Sequence, residues 1–229
     1  MSEISVCIPT YEYKGNGIVF LGELFDSLQR QTFQDFDVVV SDHSEDDVIM
    51  EWCRHCHYGF QAPNTNCALE NAEGRILKLI YQDDIFVHDE ALERIHNSFT
   101  PGVKWLIHGF SHTSDGVETH RDCVPTWTPR MIEGDNLLGS PSCIAFLKGS
   151  YLGMDNDIKL LIDTELYHRQ RMKFGMPKII SDILIANREH DNRMSASGVQ
   201  YDATISDSSR TWLVNKAEFT VVVAGADPV

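Results

Sequence analysis

Ile76-Leu77-Lys78-Leu79-Ile80-Tyr81-Gln82-Asp83-Asp84-Ile85-Phe86 is an apolar, strand-like run that ends in two adjacent carboxylates. Acidic residues are depleted in strands, so the pair is expected at the strand's carboxyl end. In open α/β sheets, ligands bind outside that edge. Neighbouring carboxylates repel each other unless a cation or a proton relieves them. A divalent metal carrying a phosphorylated ligand is the economical explanation. Taken alone, the segment reads equally well as a surface turn with two solvated acids. The rest of the chain decides between the two.

On the amino-terminal side, strand-like and helix-like segments alternate. A strand over Ile4–Pro9 leads through a loop with Gly15 and Gly17 to a helix from Leu21 to Gln31. A strand at Phe36–Ser41, a helix at Val48–His57, an extended piece at Tyr58–Gln61 and a helix at Thr65–Ala72 come next. Beyond the Ile76–Tyr81 strand lie a helix at Asp89–Ser98 and a strand at Trp105–His108. This alternation predicts a mostly parallel, Rossmann-like α/β sheet with helices on both faces. Short right-handed connections put the ends after Pro9, Ser41 and Tyr81 on one edge. The second half is less regular. It has a hairpin over Ser111–His120 turning at Asp115-Gly116, a loop at Val124–Asn136, and a strand at Cys143–Leu147. A helix at Asp163–Phe174, a short strand at Lys178–Ser181 and a polar segment at Glu189–Gln200 complete it. With no repeat or linker, one domain over residues 1–229 is expected, with a donor half at about 1–110 and an acceptor half at about 111–229.

The chain has 229 residues, enough for one sizeable core. A net charge of −15 argues against nucleic-acid binding, which needs clustered Lys and Arg, and against docking on an anionic membrane. An anionic substrate must then be met by a metal, helix N-termini or a few placed basic residues. A strand begins at Ile4, so no signal peptide is expected. The tail Phe219–Ala224 is strand-sized, and no run is long enough for a transmembrane segment. A cytoplasmic location with the six cysteines as free thiols is the default. Cys53-Arg54-His55-Cys56-His57 matches the CxxCH of haem attachment. That chemistry requires export, and a zinc site lacks its second ligand pair. An amphipathic helix burying Val48, Met50 or Trp52, and Cys56 is the better reading.

Polar groups close each strand of the shared edge: Thr10 with Tyr11, Asp42 with Ser44, and Asp83 with Asp84. Each could be a turn residue, but their convergence is better explained by a ligand. Ile4-Ser5-Val6-Cys7-Ile8-Pro9-Thr10-Tyr11, Leu24-Phe25-Asp26-Ser27-Leu28 with Gln31-Thr32-Phe33, and Val38-Val39-Val40-Ser41-Asp42 resemble the opening of family 2 glycosyltransferases of the GT-A fold. The likeness continues through Asn66, Ala72 to Gly74, Tyr81 to Asp84 and Gly139-Ser140-Pro141-Ser142. It ends with Asp163-Thr164-Glu165-Leu166, Arg169 and His190, so it covers nearly the whole chain in the family's order.

The resemblance implies a metal-dependent inverting enzyme that moves a sugar from a nucleotide-diphosphate sugar, expected to be UDP-linked, to an acceptor hydroxyl. Pro9, Thr10, Tyr11, Asp42, Ser44, Asn66 and Asp83 would form the nucleotide-sugar site. Asp84 would occupy the metal position of the DxD-type motif, with His190 reaching the metal or the diphosphate, and Mn2+ or Mg2+ as cofactor. Tyr81 stands where many relatives have an acid. Asp163 matches the catalytic base, although Ile162 replaces the Glu that commonly precedes it. The implied acceptor is a glycan, a lipid-linked sugar or a protein.

The residue chemistry agrees independently. A divalent cation stabilises charge on a departing phosphate, and a carboxylate can take the acceptor's proton. Asp163 also suits a helix start, where negative charge is favoured. Arg188, Arg193 and Lys148 are candidate diphosphate contacts, although basic side chains are mostly solvated. Two other readings stay open: a sugar nucleotidyltransferase, for which the Gly15–Gly17 loop is poorly basic, and a nucleotide-sugar or glycan-binding module with a degraded site.

Overall fold

In the computed structural model, residues 2–12, 15–55, 59–61, 65–133, 135–155 and 161–191 are described. One nine-stranded sheet organises them, in the order β3-β2-β1-β4-β8-β6-β9-β5, with β7 paired to β6. In its parallel part, β1 (Ile4–Thr10) is flanked by β2 (Phe36–Asp42) and β4 (Ile76–Leu79). Beyond β2 lies the short parallel strand β3 (Gly59–Gln61). Ile4, Val6, Cys7 and Ile8 are all fully buried. Such burial on both faces is what makes β1 a continuous apolar run rather than an alternating one. Gly74 lets the chain enter β4 against β1: its N–H donates to Ser5 Oγ at 2.8 Å, and a Cβ there would lie 2.4 Å from Ser5 N.

The parallel arrangement expected from the alternation holds through β3-β2-β1-β4. It then becomes mixed, because β8 (Ile144–Leu147) runs antiparallel to both β4 and β6 (Trp105–Thr113). Helices α1 (Gly17–Gln29), α2 (Val48–His55), α3 (Thr65–Asn71), α4 (Ala91–Ser98) and α5 (Ile162–Phe174) lie close to the expected positions. In α2 the inward side chains are Ile49 and Cys53, both fully buried, while Val48 is exposed. Ile49 rather than Val48 thus begins the buried face, while Trp52 packs on the core as expected, stacking on Phe25 of α1 with 5.5 Å between ring centroids. Cys56 and His57 lie outside the described residues, as do Arg193 and the tail at 219–224. Most of the polar segment at 189–200 is outside as well. Cys7, Cys53, Cys67, Cys123 and Cys143 are free thiols. Among the described residues, no helix is long and apolar enough to cross a membrane.

Two features of the sheet shape the site and differ from the sequence reading. The last strand, β9 (Lys178–Arg188), has 11 residues and continues well past the expected end at Ser181. The polar Ser181-Asp182 step looked like a strand end. It is instead accommodated beside irregular pairing with β6 around Gly109, where a Cβ would lie 2.8 Å from the Asp182 carbonyl oxygen. The second feature is a two-residue strand, β5 (Ile85–Phe86), immediately after the acidic pair. It pairs antiparallel with β9 through Ile85 opposite Ala186 and Phe86 opposite Ile185. This pairing carries the end of β9 to Asp83 and Asp84. The expected hairpin is present: β6 pairs with β7 (His120–Cys123), and Gly116 at the tip has a φ of 78°.

Candidate functional site

The register of β1 and β2 puts Thr10 directly opposite Asp42 at the edge of the sheet. Asp42 Oδ1 accepts hydrogen bonds from Thr10 Oγ1 at 3.0 Å, Ser44 Oγ at 2.7 Å and Ser44 N at 3.2 Å. Ser44 Oγ in turn accepts the Glu12 N–H at 2.9 Å. Thr10, Asp42 and Ser44 thus form one connected group. Pro9 precedes them opposite Ser41, and the Tyr11 side chain is 44% exposed beside them. Gln82, which the sequence reading passed over, ties this group to the acidic pair. It is almost fully buried, accepts the Tyr11 N–H and donates to the Gly17 carbonyl at 3.2 Å.

Asp83 and Asp84 point to different partners. Asp84 is 4% exposed and turned inward. Its Oδ1 accepts Arg188 N–H at 2.9 Å, its Oδ2 accepts Asn187 Nδ2 at 2.8 Å, and the Ser142 hydroxyl also bonds it. Burial, then the adjacent Asp83, push its carboxyl up to about 7. Asn187 Nδ2 also donates to Ser140 Oγ at 2.9 Å, and Ser142 Oγ accepts the Tyr81 N–H at 2.9 Å. Asp84 therefore joins the end of β9 to the 3-10 turn Pro141–Cys143. Asp83, by contrast, meets His190, with Oδ2 and Nε2 separated by 3.0 Å and both side chains 12% exposed. The sequence expectation grouped His190 with Asp84. The structure groups it with Asp83, because the backbone at the end of β9 already occupies Asp84.

Arg188 acts as a fixed bracket. Its Nε donates to the Asp83 carbonyl at 2.9 Å, its Nη2 pairs with Glu23 of α1, and its guanidinium lies 4.7 Å from the centre of the Phe20 ring. Phe20 also packs against His190, with ring centroids 4.9 Å apart. These contacts orient the acidic turn, so Arg188 supports the site from behind rather than presenting a free cation to a diphosphate.

A carboxylate oxygen and an imidazole nitrogen facing each other form a mixed donor set that suits a transition ion such as Mn2+ better than Mg2+, which prefers oxygen ligands alone. Among the described residues, no group of three or more His, Cys, Asp or Glu side chains is placed to hold a metal. The pair fits a cation that takes its remaining ligands from phosphate oxygens and water, as such ions commonly do.

Asp163 sits in the first turn of α5, preceded by Leu161 at a φ of 60°. Its Oδ1 accepts Thr164 N–H at 2.9 Å and its Oδ2 accepts Asn136 Nδ2 at 2.6 Å. Burial raises its pKa above the ordinary 3.8, against the lowering effect of these hydrogen bonds. Asn136 also donates to the Gly139 carbonyl at 3.0 Å, so the loop before it is anchored to the segment leading to Ser140 and Ser142. Asn66, expected in the nucleotide-sugar site, bonds the 151–154 loop. It donates to the Met154 carbonyl at 2.9 Å and accepts Met154 N–H at 2.7 Å and the Tyr151 hydroxyl. These bonds clasp the 151–154 loop to α3. Tyr81 turns towards the same region, bonding Thr65 and lying 4.0 Å from Met154 Sδ, and burial drives its hydroxyl pKa upward. Lys148 is exposed.

No protein-family model matches the chain, and no curated protein sequence matches it. Solved structures do. TarS 1-349 of S. aureus in complex with UDP-GlcNAc aligns at a TM-score of 0.65 and 17% identity, over 86% of this chain and 61% of that one. The mannosyltransferase PcManGT from Pyrobaculum calidifontis, in complex with GDP-Man and Mn2+, aligns at 0.60 and 15%, over 100% and 76%. Glucosyl-3-phosphoglycerate synthase from Mycobacterium tuberculosis, with Mn2+, UDP and glucosyl-3-phosphoglycerate, aligns at 0.61 and 14%, over 95% and 80%. Against a longer TarS structure, the chain spans only 43% of the length. At such identities the likeness is one of architecture. The chain has the fold of the GT-A glycosyltransferases.

Proposed function

We propose that this chain is an inverting glycosyltransferase that uses a nucleotide-diphosphate sugar, UDP-linked in the first instance, with Mn2+ or Mg2+ as the cation that Asp83 and His190 would hold. The observation that carries the reading is the arrangement on one sheet edge. The Thr10–Asp42–Ser44 group is joined through Gln82 to the Asp83–His190 pair. In solved structures of the same fold, UDP or GDP-Man is bound, in some cases with Mn2+.

In this reading the Asp42 group receives the base and ribose, with the exposed Tyr11 ring beside the base. The metal, when bound, neutralises charge on the departing diphosphate. Asp163 takes the proton from the acceptor hydroxyl as its oxygen attacks the anomeric carbon. The bond from that carbon to the diphosphate oxygen breaks, its electron pair leaves with the diphosphate, and a single displacement inverts the centre. Asn136 holds Asp163 in place, and the raised pKa makes the carboxylate a better base than a solvated one. The acceptor is a hydroxyl of a glycan, a lipid-linked sugar or a protein, approaching from the 139–142 side.

A panel of UDP- and GDP-sugars, incubated with the protein and Mn2+ and assayed for free nucleoside diphosphate, tests the reading. Release from one donor, lost in EDTA, supports it. No release and no binding from any donor would end it. A second reading, a binding module without turnover, draws on Tyr81, which replaces an acid and is engaged with Thr65 and Met154. Tight donor binding without release in the presence of candidate acceptors would favour that alternative.

A further inference from the structure

Beneath the acidic turn, the middle of β4 carries a lysine that none of these roles uses. Lys78 is fully buried. A buried ammonium is strongly disfavoured unless its donors are satisfied and a charge of opposite sign is near. Its Nζ donates to the Ser142 carbonyl and lies 2.9 Å from His108 Nε2. His108, also fully buried, has Nδ1 2.9 Å from the Gly109 carbonyl oxygen. A carbonyl can only accept, so Nδ1 carries the ring proton and Nε2 offers its lone pair to the ammonium. Burial, then the charge on Lys78, hold His108 well below its ordinary pKa, in keeping with that neutral tautomer. Both partners of Nζ are therefore acceptors.

The Ser142 side of this network leads to the site. Ser142 Oγ accepts the Tyr81 N–H at 2.9 Å, and the same hydroxyl bonds Asp84. Asp84 in turn holds Arg188 N and Asn187 Nδ2. We propose that Lys78 is a positioning residue for the metal end of the donor site. By fixing the Ser142 carbonyl it holds the 3-10 turn so that the Ser142 hydroxyl pins the Tyr81 amide and the Asp84 carboxylate. The direction of the neighbouring Asp83 side chain is set as a consequence. This inference rests on reading the sheet edge as a nucleotide-sugar site.

Lys78→Met removes the charge and the donors at similar length and is the variant to test. Two measurements are made: amide hydrogen exchange at Tyr81 relative to Val6 and Ile8 in β1, and calorimetric binding of UDP and of uridine with and without Mn2+. Loss of the bond from Lys78 Nζ to the Ser142 carbonyl predicts about a tenfold faster Tyr81 exchange relative to β1 and about a tenfold smaller Mn2+ gain for UDP, with uridine binding unchanged. Ser142→Ala should reproduce both effects, and the double variant should be no worse than either single one. Tyr81 and β1 amides changing together, or not at all, would overturn the proposal. If Lys78→Met does not fold, Ser142→Ala decides: wild-type Tyr81 exchange and a wild-type Mn2+ gain in that variant overturn it equally. A wild-type protein that binds no UDP with Mn2+ would defeat the donor-site reading instead, and the exchange comparison would still report whether Lys78 holds the turn.

Discussion

Asp83 Oδ2 and His190 Nε2 lie 3.0 Å apart although 107 positions separate them in the chain. The short pairing of β5 with β9 brings the two segments together, and Arg188 then locks them by donating to the Asp83 carbonyl. Phe20 of α1 packs on both Arg188 and His190, so helix, acidic turn and strand end share one aromatic contact. The neighbouring Asp84 faces inward onto Asn187 and Arg188 N. One carboxylate is thus left facing the site while its neighbour holds the scaffold.

That division predicts opposite outcomes for two similar substitutions. Asp83→Asn should leave thermal stability close to wild type and remove the Mn2+ enhancement of UDP binding. Asp84→Asn exchanges one accepting oxygen for a donor amide among groups that need an acceptor. It should lower stability by about 1–3 kcal/mol, the usual penalty for an unsatisfied buried partner. Melting curves and calorimetry on both variants check this; a stable Asp84→Asn protein would contradict the assignment.

Gly116 sits at the tip of the β6–β7 hairpin at a φ of 78°, where a Cβ would lie 2.4 Å from Arg188 Nη2. Gly116→Ala should therefore cost about 1–2 kcal/mol from the left-handed backbone alone. It should also weaken Mn2+-dependent UDP binding by displacing Arg188. Chemical denaturation and calorimetry on the variant test the two effects, and wild-type behaviour in both would show that the tip does not bear on Arg188.

Asp42→Ala removes the acceptor shared by Thr10 and Ser44. It should weaken uridine and UDP alike, and much more than it weakens any sugar-1-phosphate. Equal losses across these ligands, measured by competition, would place Asp42 outside the base pocket.

The sequence made the ends of β1 and β2 legible because each is an apolar run halted by polar residues, and the parallel register then sets Thr10 beside Asp42; β4 stops at Leu79, two residues before the expected Tyr81, within the apolar run. The Asp83–His190 pairing was not legible. Side chains of adjacent residues point in different directions, so choosing between Asp83 and Asp84 needs a register that β5 supplies, and two residues carry too little pattern to announce a strand. In sequence, Ser181-Asp182 resembles a strand terminus, whereas the space at Gly109 lets β9 continue its pairing. Asn66 and Arg188 were singled out as chemical groups, but their hydrogen bonds go to Met154, Tyr151, Glu23 and the Asp83 carbonyl. A motif locates such residues without revealing their partners.

Asp163 should impose an acid limb on the rate of transfer. A base acts only when deprotonated, and burial raises this carboxyl above its ordinary 3.8, so activity should fall as pH drops through that raised value. The stability effect has the opposite sense. Because the folded state holds this proton more tightly than the unfolded chain, the group's contribution declines as pH rises from 3.8 towards the folded pKa. Asp163→Asn should remove the acid limb and lower turnover by about a hundredfold or more, with donor affinity nearly unchanged. A variant that transfers sugar at the wild-type rate but melts lower would make Asp163 a helix-start charge only.

Calorimetric titration of UDP into the full chain, in Mn2+ and again in EDTA, bears most directly on the central claim that Asp83 and His190 hold a metal against a nucleoside diphosphate. The account predicts at least about tenfold tighter binding with Mn2+, equivalent to about 1.4 kcal/mol, and no such gain in Asp83→Asn. Equal affinity in Mn2+ and EDTA for the wild-type protein would contradict it.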